Sequence, residues 1–205
     1  MSALQKHPII QENTLYTYED YAKWDDGNRW ELIDGVPRMM GAPTFTHQRL
    51  IFLFGMQFEG FLKGKNGTFA LAPFDVRLNH KTKDNRVVQP DVLVICDKNK
   101  LGDGKNLKGA PDLAIEILSP SSTKHDQVTK FRLYKQAGVR EYWIVDPTAK
   151  TVGVHILEKD NLGMRYYDET ESIPVHVLEG FDLDLSQVFE PDVPERETEQ
   201  EAQTE

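Results

Sequence analysis

Two carboxylates, Asp91 and Glu116, stand inside the most apolar stretches of a chain of 205 residues. Asp91 follows Pro90 and heads Val92-Leu93-Val94-Ile95, and Glu116 lies between Ile115 and Ile117. Apolar runs of this kind, bounded by turn residues, predict strands buried on both faces. A carboxylate there is strongly disfavoured unless it is paired, protonated or bound to a metal ion. If the two strands are neighbours, the carboxylates converge. With a main-chain carbonyl and waters they form a hard-oxygen set suited to Mg2+ or Mn2+. Such an ion polarises a phosphodiester and lowers the pKa of a bound water. An adjacent lysine can orient that water or offset charge developing on the phosphate. Lys130 is the candidate, on the helix expected directly after the Glu116 strand, with Tyr134 one turn further along the same face.

A purely structural role fits the same residues. Asp91 can cap the turn after Pro90, and Glu116 can form a buried pair with Lys130 or Arg132, since structural ion pairs also place acids inside. Glu31 and Asp75 read first as solvated strand residues, Asp34 as a turn residue and Asp146 as a strand stop before Pro147. His47, on a predicted helix, reads as a surface or capping histidine rather than a ligand.

The elements that must position these residues follow from local signals. Thr17-Tyr18-Glu19-Asp20 has the layout of a capping box, with Asp20 in place of Glu or Gln, and opens a short helix to about Trp24. Trp30–Ile33, Asp34-Gly35 and Val36–Met40 form a hairpin signature, because both turn residues tolerate positive φ. A helix from Pro43-Thr44 to about Lys63 carries an apolar stripe of Leu50, Leu53, Phe54, Phe58, Phe61 and Leu62, and Gly64 stops it. Strands are expected over 68–72, 74–78, 87–96 and 112–118. A helix from Thr123 or Asp126 to Gln136 ends at Gly138. Strands over 141–145 and 151–157 follow, with weaker ones near 164–167 and 173–177. This order predicts an α/β fold, a mixed central β-sheet flanked by helices.

The length suits one domain over 1–189, followed by an acidic tail over 190–205. An apolar content of 39% against 28% charged excludes a disordered chain as a whole. The tail holds seven acids and one base, which is −6 of the net −9 and leaves −3 for the rest. It is expected to be disordered. Eight Lys/Arg against four Asp over 77–108, and five against one acid over 124–140, allow a polyanion to be met locally. No apolar run reaches the roughly 18 residues that span a bilayer, so no membrane partner is expected. Met1 to Ile10 lack the charged-then-apolar pattern of a signal sequence, so none is expected. The single cysteine, Cys96, excludes an internal disulfide and a thiolate zinc site, and a cytoplasmic location is the default expectation.

Five segments carry a family resemblance. They are Trp30-Glu-Leu-Ile-Asp-Gly35, Pro73-Phe-Asp-Val-Arg-Leu78, Val88-Gln-Pro-Asp-Val-Leu-Val94, Gly109-Ala-Pro-Asp-Leu-Ala-Ile-Glu-Ile-Leu-Ser-Pro-Ser121 and Tyr142-Trp-Ile-Val-Asp-Pro147. Together they resemble the Uma-two family of restriction endonucleases, within the PD-(D/E)XK nuclease superfamily, from about Thr17 to Phe189. The resemblance implies a restriction-endonuclease-like core with its site at the middle strands. Asp91 matches the motif aspartate and Glu116 the second acid, and the Ile117 carbonyl then joins the metal ligands. The lysine expected two residues after Glu116 is Leu118, so the resemblance points to Lys130 on the following helix, with Tyr134 beside it. Glu31 matches the glutamate before Leu-Ile-Asp-Gly and gains a role as an additional ligand; Asp75 gains less.

The expected activity is therefore metal-dependent hydrolysis of nucleic-acid phosphodiester bonds, with DNA as the substrate, Mg2+ or Mn2+ as cofactor, and Asp91, Glu116, Lys130 and Glu31 as the working side chains. The alternative is an inactive nuclease fold that holds nucleic acid or a protein without cutting. Exposed strand edges would also permit a homo-oligomer.

Overall fold

The computed structural model of the chain describes residues 10, 11, 13–119, 125–158 and 163–189. The tail expected over 190–205 lies outside the described residues. Helix α1 (Tyr18–Tyr21) opens as predicted, with Asp20 Oδ2 accepting from the Thr17 N–H at 2.9 Å and its hydroxyl at 2.8 Å. It stops short of Trp24 because the N–H groups of Lys23 and Trp24 turn back only three residues, to Asp20 and Tyr21. Strands β1 (Trp30–Ile33) and β2 (Val36–Met39) form the hairpin, with Asp34 and Gly35 at φ 53° and 85°. Thr44 caps α2 (Phe45–Leu62), its hydroxyl accepting from the His47 N–H at 3.2 Å.

The strands that follow are β3 (Thr68–Leu71), β4 (Val76–Arg77), β5 (Val87–Val88), β6 (Val92–Ile95), β7 (Leu107–Lys108) and β8 (Leu113–Ile117). A π-helical turn over His125–Lys130 leads into α3 (Phe131–Ala137), which Gly138 ends at φ 86°. The chain closes with β9 (Glu141–Asp146), β10 (Thr151–Ile156), β11 (Arg165–Asp168), β12 (Ser172–Pro174) and β13 (Asp182–Asp184). The last of these was not signalled by the sequence.

The central sheet has the order β11-β10-β9-β8-β6-β3 and is mixed, β8 and β9 running parallel and the other pairs antiparallel. A second sheet has the order β2-β1-β5-β4-β7. Period two sorts the central strands onto two faces. Val92, Val94, Leu113, Ile115 and Trp143 point to α2 and to the β12–β13 ladder, where Phe54 and Phe58 pack against the Trp143 indole. Leu93, Ile95, Ala114, Tyr142 and Ile144 point the other way, onto α3 and the second sheet. Among the described residues no helix is long and apolar enough to cross a membrane.

The strand read over 87–96 is two strands in two different sheets. Pro90 has no N–H to give to a ladder, so the chain leaves the second sheet after Val88 and enters the central one at Val92. Gln89, Pro90 and Asp91 form the crossing.

Candidate active site

Asp91 comes out of that crossing beside the C-terminal end of β8. Val92 pairs with Ile115 in the antiparallel register, which sets Asp91 opposite Glu116. Opposed residues of such a pair project to the same face. Asp91 Oδ2 accepts from the Ile117 N–H at 2.8 Å, which fixes the carboxylate at the strand end. Glu116 points to the face covered by the second sheet and α3, and both acids are buried.

The π-helical turn brings Lys130 to Glu116, and its shift of phase is of the kind often found at functional sites. Lys130 Nζ lies 2.9 Å from Glu116 Oε1 and 3.0 Å from Glu31 Oε1, and is itself buried. One turn on, the Tyr134 hydroxyl donates to Glu116 Oε1 at 2.5 Å. Burial, and then the Glu116 charge, hold the Tyr134 phenol well above its ordinary value, so it stays neutral and a donor. Glu31 is 1% exposed, not solvated as its place on a hairpin suggested. The second sheet stacks β1 over the site, and the Gln89 N–H donates to Glu31 Oε1 at 3.0 Å.

Asp75 does not reach this group. Its Oδ1 accepts from the Tyr21 hydroxyl at 2.8 Å and from Gln89 Nε2 at 2.9 Å, beside a separate cavity lined by Tyr18, Trp24 and Trp30. Gln89 thus ties Asp75 to the outer edge of the site.

His47 was read as a capping or surface residue, yet its ring enters the site. His47 Nε2 lies 3.2 Å from Asp91 Oδ2. Burial works against the imidazolium, but the Asp91 hydrogen bond and charge and the Ile117 carbonyl outweigh it and raise the His47 pKa. The signal was present in the sequence: His47 stands three and seven residues before Leu50 and Phe54, on the helical face that is buried. Arg29 was also missed. Its Nε donates to Gln89 Oε1 at 2.9 Å, and its charge reaches His47.

Three polar atoms here lack partners among the described residues. His47 Nδ1 and Arg29 Nη2 are buried with no hydrogen bond. Both described contacts of Asp91 use Oδ2, leaving Oδ1 without one. Buried polar groups are nearly always satisfied, so these two nitrogens beside the free Asp91 oxygen mark a place that can take a polar ligand. No three His, Cys, Asp or Glu side chains come together as a metal cage among the described residues. A magnesium ion does not need one, since one or two carboxylates and retained waters hold it. Asp91 Oδ1, Glu116 and the Ile117 carbonyl are hard oxygen donors at one strand end, and they fit such an ion.

A cleft of about 710 Å3 lies at the far end of α3, lined in part by His80, Lys81, Arg86, Lys100 and Lys108. It is the local excess of positive charge that the sequence indicated.

The fold and the sequence both resemble those of known proteins. The crystal structure described as "a putative nuclease belonging to DUF820 from Anabaena variabilis" matches with a TM-score of 0.69 at 18% identity, covering 84% of this chain and 97% of that one. The fold is thus the restriction-endonuclease-like one. An uncharacterized protein of Synechocystis is 28% identical over 142 residues, 67% of this chain and 72% of its own length. The model of the Uma2 family, described as "Putative restriction endonuclease", matches residues 18–186. With nearly all of its described length matched, this chain belongs to the Uma2 family.

Proposed function

We propose that the chain is a metal-dependent endonuclease that hydrolyses phosphodiester bonds of nucleic acid, with DNA as its substrate. The observation that carries this reading is the set of unpartnered polar atoms around Asp91, at the point where the chain crosses between its sheets. The family supports nuclease chemistry.

Asp91, Glu116 and the Ile117 carbonyl would hold Mg2+ or Mn2+, which supplies charge for the phosphate and a more acidic water. Lys130, whose ammonium lies against Glu116 and Glu31, orients the attacking water and offsets charge developing on the phosphate. Glu31 stands on the other side of that ammonium and accepts the proton the water loses. Tyr134 keeps Glu116 in position. Arg29 Nη2 offers its unused N–H to a non-bridging phosphate oxygen. Water adds to phosphorus as its proton passes to Glu31, the P–O3′ bond breaks, and the leaving O3′ takes a proton from solvent water, giving a 5′-phosphate and a 3′-hydroxyl. The basic cleft beside α3 is suited to the backbone further along the strand.

One observation favours the second reading, a nuclease fold that binds without cutting: Lys130 is bound to both Glu31 and Glu116, as a structural ion pair would be. Calorimetric titration with Mn2+, followed by incubation with plasmid DNA, separates the two. Saturable binding and nicking, both lost in Asp91→Asn/Glu116→Gln, are the expected result. DNA retention with neither Mn2+ binding nor nicking by the wild type would establish the binding module instead.

A further inference from the structure

A second cavity, of about 330 Å3, opens beside the acidic centre on the same face of the central sheet. Its floor includes Ile144, the register partner of Glu116 on β9. Adjacent strands lie roughly 4.8 Å apart, so the cavity begins one strand away from Glu116. Phe131, on its wall, directly follows Lys130. A ligand group in this cavity and a phosphate at Lys130 are therefore close neighbours.

The lining is aromatic and flat-sided. The Phe131 and His155 rings lie 4.8 Å apart, and burial lowers the His155 pKa, so its imidazole is a neutral ring. Tyr166 is 62% exposed at the mouth and makes no ring contact with a described residue. Met164 and Tyr166 lie close over β10 because Gly153 has no side chain: a Cβ there would stand 2.7 Å from Met164 Sδ and 3.3 Å from Tyr166 Cε1. Thr151 and Asp146 add polar side chains beside the His155 ring. Asp146 Oδ1 is held by the N–H groups of Thr148 and Ala149 at 2.9 and 3.0 Å, which leaves Oδ2 to accept from a ligand.

Rings and a thioether for stacking, one fixed acceptor, and a volume at the low end of the roughly 300–1,000 Å3 of small-molecule sites describe a receptor for a single flat heterocycle bearing N–H donors. We propose that this cavity receives one unstacked nucleobase of the strand whose phosphodiester lies at Glu116 and Lys130. The inference rests on the hydrolytic reading above for the position of the phosphate. It adds a substrate class: the base must be out of the double-helical stack, in a single strand, a bulge or a flipped position. Stacking on the rings would serve any base, while Asp146 favours those with an amino or imino edge.

The test uses a short single-stranded DNA oligonucleotide with 2-aminopurine, or an abasic residue, walked through each position, with EDTA present. Wild type is expected to bind it with a 2-aminopurine fluorescence change at one position. An abasic residue there should weaken binding by about 5- to 150-fold, the worth of one stacked base. Tyr166→Ala and Met164→Ala, both at the exposed mouth, should each reduce that difference. Equal binding of intact and abasic strands at every position, or no binding of either, would overturn the pocket. Cutting of the same strand with Mn2+ is scored separately. A base-position signal without any cutting leaves the pocket standing and removes the hydrolytic reading; cutting without a base-position effect does the reverse.

Discussion

The two ends of β8 both carry buried acids, and they treat them differently. At the N-terminal end, Asp112 Oδ2 accepts from the Cys96 N–H at 2.7 Å and Oδ1 faces Arg140 at 3.4 Å. Beside it on β9, Glu141 is fully buried, with Oε1 accepting from the Trp143 indole at 2.7 Å and Oε2 from the Val177 N–H at 3.1 Å. Every oxygen there is engaged by the protein's own donors. At the C-terminal end, Asp91 uses only one oxygen, and His47 and Arg29 hold buried N–H positions without partners. Glu31 and Glu116 share the ammonium of a buried lysine. Burial of an acid is thus no mark of chemistry by itself. What separates the two ends is how far the scaffold has used up the lone pairs of its acids.

Variants at the two ends should diverge accordingly. The largest effect is expected from Lys130→Met, which leaves two buried carboxylates without their shared cation. It should cost about 3–5 kcal/mol in urea unfolding, and part of that should return when Glu31→Gln is added. No recovery in the double variant would mean that the three groups do not share charge as described. Glu141→Ala comes next. It strands the Trp143 indole N–H and the Val177 N–H and should cost about 1–3 kcal/mol, with DNA cutting unchanged. A loss of cutting there would erase the distinction between the ends.

A smaller effect lies in the pH dependence. Burial raises the Glu141 pKa above its ordinary value of 4.5, against the Trp143 and Val177 hydrogen bonds and the nearby His176. The native state then holds the proton more tightly than the unfolded chain. The contribution of Glu141 to stability should fall as pH rises from 4.5 through the raised value, and be level on either side. Denaturant midpoints of the wild type measured against Glu141→Gln should show this slope, and parallel curves would exclude it. The smallest effect belongs to the rim of the same end, where Arg140 bonds the largely exposed Glu158 at 2.7 Å. Glu158→Ala, which leaves the contact of Arg140 with Asp112 in place, should cost under about 1 kcal/mol and less as salt increases.

Much of this was legible locally. The Asp34-Gly35 hairpin, the start of α2 after Pro43-Thr44 and the apolar run of β8 rest on neighbours in sequence, and each took its expected form. The grouping of Asp91, Glu116, Lys130 and Tyr134 could be anticipated because an acid in an apolar strand and a basic helix after it are visible in the chain. The rest depends on distant packing. Glu31 is buried only because a second sheet closes over β1, and no residue near it announces that sheet. The break at Gln89–Asp91 is hidden by apolar residues on both sides, with Pro90 as its single sign. Glu141 looks like the first residue of an ordinary strand, and its partner at Val177 lies 36 residues away.

The most direct measurement is the rate of Mn2+-dependent DNA cutting by Glu116→Gln and Glu141→Gln, prepared and assayed together. Both replace a buried β-strand carboxylate by its amide, one at each end of the same pair of strands. The account predicts that Glu116→Gln loses about a thousandfold, roughly 4 kcal/mol of transition-state stabilisation, while Glu141→Gln cuts at the wild-type rate. Equal rates in the two variants, or a loss confined to Glu141→Gln, would contradict it.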